Sequence, residues 1–190
     1  MDILQEQSLL KQVQAGDTTA FGPLYDAYIQ DIYRFVSYRV PKKEIAEDLT
    51  SQIFLKALEK ISSYKVGRGN FRAWLYQITR NSIVDFYRQN KTTENIEDVT
   101  LSDNEKSKNQ IEINLMYHEV QQYLKKLTQD QQEIIILRVW ENLSYSEIAS
   151  IVGKSEASCK MSFSRGMKEL RTLMPLSVFL SFYLHYFSSI

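Results

Sequence analysis

A twenty-residue segment, 91–110, constrains the fold more than any other feature of the chain. Its sequence, KTTENIEDVTLSDNEKSKNQ, contains no aromatic residue and only three large aliphatic residues. Such a segment cannot bury enough apolar surface to offset the entropy that ordering would cost. We therefore predict a flexible linker over 92–115 that separates two folded blocks, 21–91 and 116–174.

Both blocks show the periodicity of helices. Glycine and proline are scarce, at 6 and 3 of 190 residues, and the residues that favour helices are abundant. In the first block, apolar residues recur at helical intervals, as in the series Ile45, Leu49, Ile53, Ala57 and Ile61. The sequence therefore predicts an all-α protein of two small helical domains, with an N-terminal helical extension (1–20) and a hydrophobic C-terminal tail (175–190).

The second block contains a helix-turn-helix pattern. Ser144 and Glu147 match a capping box that starts a short helix, and Gly153 tolerates the left-handed conformation that ends one. Ser155 then begins a longer helix, and residues 154–171 carry five basic and two acidic groups. A recognition helix of this kind lies in the major groove of DNA. The alternative is a helical hairpin with a charged outer face.

The net charge of zero, from 23 basic and 23 acidic residues, argues against nucleic-acid binding when it is taken alone. Its distribution argues the other way. Residues 21–91 carry 12 basic and 7 acidic groups, whereas residues 92–115 carry 2 basic and 6 acidic groups. The neutral total thus combines two basic-leaning blocks with an acidic connector.

Basic and aromatic side chains are interspersed in a polar loop, 62–70, and in the helix that follows it. They are Tyr64, Lys65, Arg68, Arg72, Trp74, Tyr76, Arg80, Tyr87 and Arg88. Unstacked bases can lie on exposed rings while arginines follow the phosphates, so this combination is typical of single-stranded DNA binding. Aromatic residues on helices are more often core residues, and that alternative stays open for each ring.

Little in the sequence suggests catalysis or a cofactor. One cysteine and two histidines cannot form an intrachain disulfide and offer little for a metal site. The phosphate-binding, zinc-protease and nucleophile-elbow motifs are missing. We expect no cofactor, no metal and no catalytic residue, and we interpret Cys159 as a small buried hydrophobe rather than a redox sensor. The first 20 residues lack a signal-peptide pattern, so a cytoplasmic location is expected.

Taken together, the two blocks resemble the sigma-70 family of bacterial RNA polymerase sigma factors. The segments AEDLTSQIFLKALEKISSY and FRAWLYQITRNSIVDFYRQNK resemble region 2, and LSYSEIASIVGKSEASCKMSFSRGMKELRTL resembles region 4. The short linker is similar to that of the extracytoplasmic-function (ECF) group. The resemblance covers roughly residues 20–173. It implies a non-enzymatic subunit that directs RNA polymerase to promoters.

The resemblance implies a docking surface for core polymerase, chiefly for its beta-prime subunit and also for beta. The residues at these positions are Asp48, Ser51, Gln52 and Lys56. The family often has Gln-Glu where this chain has Ser51-Gln52, which removes one acidic group from the surface.

The resemblance also implies two DNA-binding surfaces. The melted minus-ten strand, with one base flipped into the loop at a cost of a few kcal/mol, would contact Tyr64, Lys65, Arg68, Arg72, Arg80, Asn81 and Arg88. The duplex minus-thirty-five element would contact Lys154, Ser155, Glu156, Ser158, Lys160, Met161, Ser164, Arg165 and Lys168. The family often has Val-Lys-Ser-Arg where this chain has Cys159 to Ser162, so the promoter sequence does not follow from the resemblance.

Several alternatives remain open at this point. One alternative function is that of a stand-alone helix-turn-helix regulator, which would bind duplex DNA without polymerase. Another is that of a helical nucleic-acid hydrolase, which the lack of a carboxylate cluster disfavours. The resemblance also implies that the acidic linker threads the RNA exit path of polymerase. Three alternatives remain for the tail. It would pack on the second block or on an anti-sigma factor, it would contact a membrane, or it would have no function. The membrane contact is less favoured than the packing.

Overall fold

The computed structural model describes residues 1–37, 39–40, 42–67, 70–90, 120 and 122–188. The predicted linker, 92–115, lies outside these residues. The chain divides into two compact units, one containing the described residues up to Asn90 and the other those from Val120 onward. The predicted all-α fold is confirmed, because the described ranges form helices and turns without a β-strand.

The first unit contains four α-helices and two short 3-10 helices. The α-helices are α1 (Ile3–Gln14), α2 (Phe21–Ser37), α3 (Lys43–Lys60) and α4 (Phe71–Asn90), and the 3-10 helices are Thr18–Ala20 and Ile61–Ser63. Helix α2 packs against α3 and α4, which also pack against each other. Helix α1 packs against α2 and against the Ile61–Ser63 turn.

The core of the first unit follows the predicted apolar stripes. Ile53 and Ala57 of α3 are completely buried, and Leu49 and Ile61 on the same face are buried as well. Ile45, at the start of the stripe, is only half-buried. Helical spacing therefore identified the inner face of α3 correctly, because a period of 3.6 residues places these side chains in one row.

The second unit contains α5 (Gln129–Val139), α6 (Tyr145–Val152), α7 (Glu156–Leu173) and α8 (Leu176–Ser188). Helices α5, α6 and α7 pack against one another, and α8 contacts α7. The fully buried residues include Ile135, Leu137, Ile148, Cys159 and Leu170. These five residues lie on α5, α6 and α7, and the fully buried Phe182 of α8 joins them.

The predicted helix-turn-helix is present in the second unit with the predicted caps. The backbone N–H of Glu147 donates to Ser144 Oγ at 3.2 Å, and the N–H of Ser144 donates to Glu147 Oε2 at 2.7 Å. Gly153 has φ 70° and ψ 36°, which is the left-handed conformation. The N–H of Ser158 donates to Ser155 Oγ at 3.2 Å and so begins α7.

Gly166 allows α5 and α7 to approach closely. A Cβ atom at this position would lie 2.8 Å from Ile135 Cδ1 and 3.2 Å from Gln131 Cβ, both on α5. We expect Gly166→Ala to lower the free energy of unfolding of the second unit by about 1–3 kcal/mol, through overpacking. Urea denaturation followed by circular dichroism measures this change.

The control for this prediction is Gly22→Ala, at a helical glycine whose added Cβ would have no atom within 4 Å. Alanine is favoured over glycine in a helix by about 0.5–1 kcal/mol, so this variant should not lose stability. Equal unfolding curves for the two variants would contradict the proposed close approach.

The hydrophobic tail forms α8 and packs on the second unit through one face. Phe182 is completely buried, and the centroid of its ring lies 5.3 Å from that of Trp140 with 34° between the ring planes. This face thus packs on the second block, which is one of the alternatives that the sequence left open for the tail. Leu176, Leu180 and Leu184 on the other side remain exposed. No helix in the described part of the chain has the length and apolarity that crossing a membrane requires.

We expect Phe182→Ala to lower the free energy of unfolding of the second unit by about 3–5 kcal/mol, because a buried ring is lost and a cavity remains. Thermal unfolding measures the effect. The neighbouring Tyr183 is exposed, so Tyr183→Ala should leave the midpoint nearly unchanged. A small effect at both positions would show that α8 adds little stability.

Candidate nucleic-acid interface

The exposed face of α3 unites three of the residues predicted for polymerase docking. Asp48, Ser51 and Gln52 are all exposed, and their spacing of three and four places them on one side of the helix. Leu55 continues this row and is 61% exposed. Sequence reasoning missed Leu55, although its position seven residues after Asp48 and outside the buried stripe could have revealed it.

Lys56 lies away from this exposed face. It is half-buried, and its Nζ donates to Ser82 Oγ on α4 at 3.3 Å. One residue along a helix corresponds to a rotation of about 100°, and this rotation turns Lys56 from the row of Leu55 towards α4. The structure therefore places Lys56 in the contact between α3 and α4 rather than beside Asp48.

Two of the tyrosines are core residues, which is the alternative that the sequence left open for each ring. Tyr64 is only 8% exposed, and its ring centroid lies 5.6 Å from that of Phe71 and 5.3 Å from that of Trp74. Tyr76 is completely buried and packs edge-to-face on Phe35 at 5.0 Å. The Tyr76 ring is covered because α4, which carries it, packs on α2, whereas Phe71 and Trp74 at the start of α4 cover the Tyr64 ring.

The two other rings of this group are half-buried. The hydroxyl of Tyr87 donates to the backbone carbonyl of Arg39, and burial raises the pKa of this phenol. Trp74 contacts Tyr64 and Phe71 through part of its ring surface. Trp74 therefore retains some surface on which a base could stack.

The cationic and polar residues that are predicted to bind the melted strand differ in their exposure. Lys65, Asn81 and Arg88 are exposed, and Arg80 is half-buried. Asn81 and Arg88 share the outer face of α4 with Val84 and Asp85, as their spacing requires. Arg68 lies outside the described residues.

Arg72 is held within the first unit by two contacts. Its Nη2 lies 3.5 Å from Asp31 Oδ2, and its guanidinium carbon lies 5.7 Å from the centre of the Tyr76 ring. Both partners belong to the unit itself, so this cation contributes to the arrangement of α2 and α4 in the absence of DNA.

One face of α7 collects most of the residues predicted for duplex binding. The exposed members are Glu156, Lys160, Met161, Ser164, Arg165 and Lys168. Their intervals of three, four and one keep them on a continuous strip along the helix. Ser155 is exposed but its hydroxyl caps α7, and Ser158 is half-buried at the first turn.

Acidic residues hold two of the predicted DNA-binding cations. The Lys154 ammonium pairs with Asp130 on α5. Lys160 Nζ lies 3.7 Å from Glu156 Oε2 and 5.7 Å from the centre of the Tyr145 ring. Phosphates would have to compete with these carboxylates, so the affinity for DNA depends on the acidic partners as well as on the cations.

Cys159 faces the interior of the second unit, as predicted. Its side chain is completely buried, and burial raises the pKa of the thiol. A thiol of this kind is a poor nucleophile because little of it is ionised. Over the described ranges, no group of three His, Cys, Asp or Glu side chains could hold a metal ion.

Comparison with known proteins identifies the family to which this chain belongs. The family described as Sigma-70 region 2 matches residues 24–93, and that described as Sigma-70, region 4 matches residues 117–170. The ECF RNA polymerase sigma factor BldN of Streptomyces coelicolor is 34% identical over 179 residues, which are 92% of this chain and 67% of that protein. The chain belongs to the ECF group of the sigma-70 family. The predicted family and the predicted function as an RNA polymerase sigma factor are thereby confirmed.

Other relatives of this sigma factor agree with the assignment. The RNA polymerase sigma factor YlaC of Bacillus subtilis is 32% identical over 167 residues, covering 81% of this chain and 91% of that protein. A co-crystal structure of the sigma factor RpoE with the anti-sigma factor NepR from Bartonella quintana has a TM-score of 0.66 at 27% identity, covering 80% and 95% of the two chains. The structure of CnrH with the cytosolic domain of CnrY, at 23% identity and a TM-score of 0.67, supports the fold.

The family matches cover the helices that carry the predicted binding residues, α3, α4 and α7, but they do not cover the terminal helices α1 and α8. The region 2 match contains α3 and α4, and the region 4 match contains α5, α6 and most of α7. Helix α1 ends before the first match, and α8 begins after the second. The family models therefore say nothing about what these two helices do.

Proposed function

We propose that this sigma factor docks on core RNA polymerase through α3, holds the melted minus-ten strand with α4 and the loop before it, and reads the duplex minus-thirty-five element with α7. One observation supports the proposal above others. Each of these helices has one face buried in its own unit and an opposite face of exposed residues with the chemistry that its partner requires.

The docking surface consists of Asp48, Ser51, Gln52 and Leu55. Protein interfaces combine an apolar centre with a polar rim, and the exposed Leu55 among polar neighbours fits this arrangement. Lys56 would act indirectly, because its bond to Ser82 holds α3 on α4.

The strand-binding surface consists of exposed groups around the start and the outer face of α4. The amide of Asn81 can donate to and accept from a base edge, whereas Lys65 and Arg88 can contact phosphates. Trp74 retains ring surface for stacking, and base stacking on aromatic side chains is typical of proteins that bind single strands. Arg72 and Tyr64 would position this surface rather than touch the strand.

The duplex-binding surface consists of the exposed strip on α7. Lys160, Arg165 and Lys168 are suited to phosphates, and Met161 and Ser164 between them can reach base edges. Glu156, at the first helical position, can accept from the amino group of cytosine. Phosphate contacts set the affinity and the salt dependence, while base contacts set the sequence.

We infer no catalytic role for this chain, since the polymerase core carries out the chemistry, and we place its action in the cytoplasm together with polymerase. The structure with the Bartonella RpoE contains an anti-sigma factor, which supports an anti-sigma protein as a partner of this chain. The acidic linker, 92–115, would follow the RNA exit path, as its surplus of carboxylates suits a segment that gives way to RNA.

The proposal is tested by capture of bacterial core polymerase on the immobilised chain, followed by run-off transcription on genomic fragments. We expect stable capture and discrete new start sites, whose alignment yields the two promoter elements. A folded chain that binds duplex DNA but does not bind core would instead favour a stand-alone regulator. Core binding without new start sites would overturn the assigned DNA surfaces and leave the docking surface in place.

A further inference from the structure

Helix α1 is an integral part of the first unit although the family match begins after it. Leu10 and Val13 are buried in the core of the unit. The helix packs against α2 and against the turn Ile61–Ser63, which leads from α3 into the loop before α4. This second contact brings α1 to the base of the proposed strand-binding loop.

A single side-chain amide joins α1 to this loop. Gln14 Nε2 lies 2.7 Å from the carbonyl oxygen of Ile61 and 2.6 Å from that of Tyr64. A glutamine amide carries two N–H donors, so both are used on the two carbonyls. The two acceptors bracket the turn at which the chain leaves α3, and Lys65 follows directly.

A chain of side-chain contacts links α1 to the other end of the loop. The hydroxyl of Tyr28 donates to Glu6 of α1, and the Tyr28 ring lies 5.6 Å from Phe71, the first residue of α4. Phe71 in turn lies 5.6 Å from Tyr64. Burial, followed by the bond to Glu6, raises the pKa of the Tyr28 phenol, which keeps the hydroxyl protonated as a donor.

We propose that α1 holds residues 62–67, the described part of the strand-binding loop, in their DNA-binding conformation, with Gln14 as the positioning residue for recognition of the melted promoter strand. The inference rests on the proposed function of the loop. A loop that is ordered before binding loses less entropy when it captures a base. Gln14 touches no DNA in this arrangement, and it acts through the backbone at Ile61 and Tyr64.

Two variants test the hydrogen bonds from the Gln14 amide to the carbonyls of Ile61 and Tyr64, which we call the tether. Gln14→Met keeps the length of the side chain but removes both donors, and Gln14→Glu places a carboxylate oxygen against the two carbonyls. Gln12→Met is the matched control, because Gln12 is an exposed glutamine of the same helix whose amide donates to Ser8 Oγ. All three variants keep the apolar contacts of Leu10 and Val13.

The first measurement is hydrogen–deuterium exchange of the free full-length chain. We expect Gln14→Met to speed exchange at the amides of residues 62–67 about tenfold, as a lost hydrogen-bonded anchor predicts, with unchanged exchange in α2 and α3. The control should match the wild type. Unchanged exchange at 62–67, or an equal rise throughout the first unit, would overturn the inference.

The second measurement is the affinity of the holoenzyme for two single-stranded oligonucleotides, one carrying the mapped minus-ten element and one with that element scrambled. We expect Gln14→Met to reduce the preference for the mapped element about tenfold, and Gln14→Glu to reduce it further. The affinity of the chain for core polymerase and the affinity of the holoenzyme for the scrambled oligonucleotide should stay unchanged. A change in stability alone would not alter this ratio.

The outcomes separate the two proposals. If the wild-type holoenzyme prefers the mapped element and Gln14→Met prefers it equally, the inference about α1 is overturned and the proposed function stands. If the wild type shows no preference, the assigned role of the loop fails, and the inference fails with it.

Discussion

Leu55→Asp is expected to lower the affinity of this sigma factor for core RNA polymerase by at least about 100-fold. Leu55 is 61% exposed at the C-terminal end of the docking surface, and burying a leucine in an interface contributes about 1.5–3 kcal/mol. Aspartate removes this contribution and adds a carboxylate that loses its hydration without gaining a partner. Titration of fluorescently labelled chain with core polymerase measures the affinity.

The control for Leu55→Asp is Leu4→Asp, which makes the same substitution on α1 at a residue that is 75% exposed. Both variants should unfold at the same temperature as the wild type, since neither side chain belongs to the core. Asp48→Arg, about two helical turns before Leu55 on the same face, should also abolish core binding through its reversed charge. If Leu55→Asp and Leu4→Asp bind core equally well, the exposed face of α3 is not the docking surface.

The double variant Lys160→Ala and Arg165→Ala is expected to weaken duplex binding by the holoenzyme and to make it less sensitive to salt. Each phosphate contact that is lost lowers the slope of log affinity against log salt concentration by about one, so the slope should fall by up to about two. Because counterion release dominates binding at low salt, the loss of affinity should be largest there, on the order of 10- to 100-fold. Fluorescence anisotropy over a salt series measures both quantities.

Lys125→Ala with Lys126→Ala is the matched control for the duplex-binding variant. Both lysines are exposed in the second unit outside the strip on α7, and the double substitution changes the net charge by the same amount. If the control lowers the slope as much as the test variant does, the effect comes from the overall charge and not from contacts of α7. A distinct effect of the test variant supports direct contact.

The ends of the helices in the second unit could be predicted from the sequence. The capping box of Ser144 and Glu147, the left-handed Gly153 and the cap at Ser155 all occur as predicted. Each depends on residues within a few positions of one another, so side-chain chemistry and backbone sterics are sufficient to specify them. The buried stripe of α3 was predictable for the same reason.

Contacts between helices were much less predictable. The pattern marked Tyr64 and Tyr76 as aromatic residues of a basic segment, but it did not show that neighbouring elements cover both rings. The family resemblance placed Lys56 among the docking residues, whereas Ser82, 26 positions later, accepts its hydrogen bond. Leu55 lies seven positions after Asp48 and outside the buried stripe, so its place on this face was accessible from the sequence, whereas its exposure of 61% became visible in the folded unit.

The order of the helices, their caps and their inner faces were thus accessible from the amino-acid sequence, because short-range periodicity and capping encode them. The surroundings of Tyr64, the partner of Lys56, the tether from Gln14 and the burial of Phe182 became visible in the folded units. Gln14 meets its acceptors across 47 and 50 positions of the chain. Contacts at such separations depend on how whole helices pack, and packing is a property of complementary surfaces that no local pattern contains.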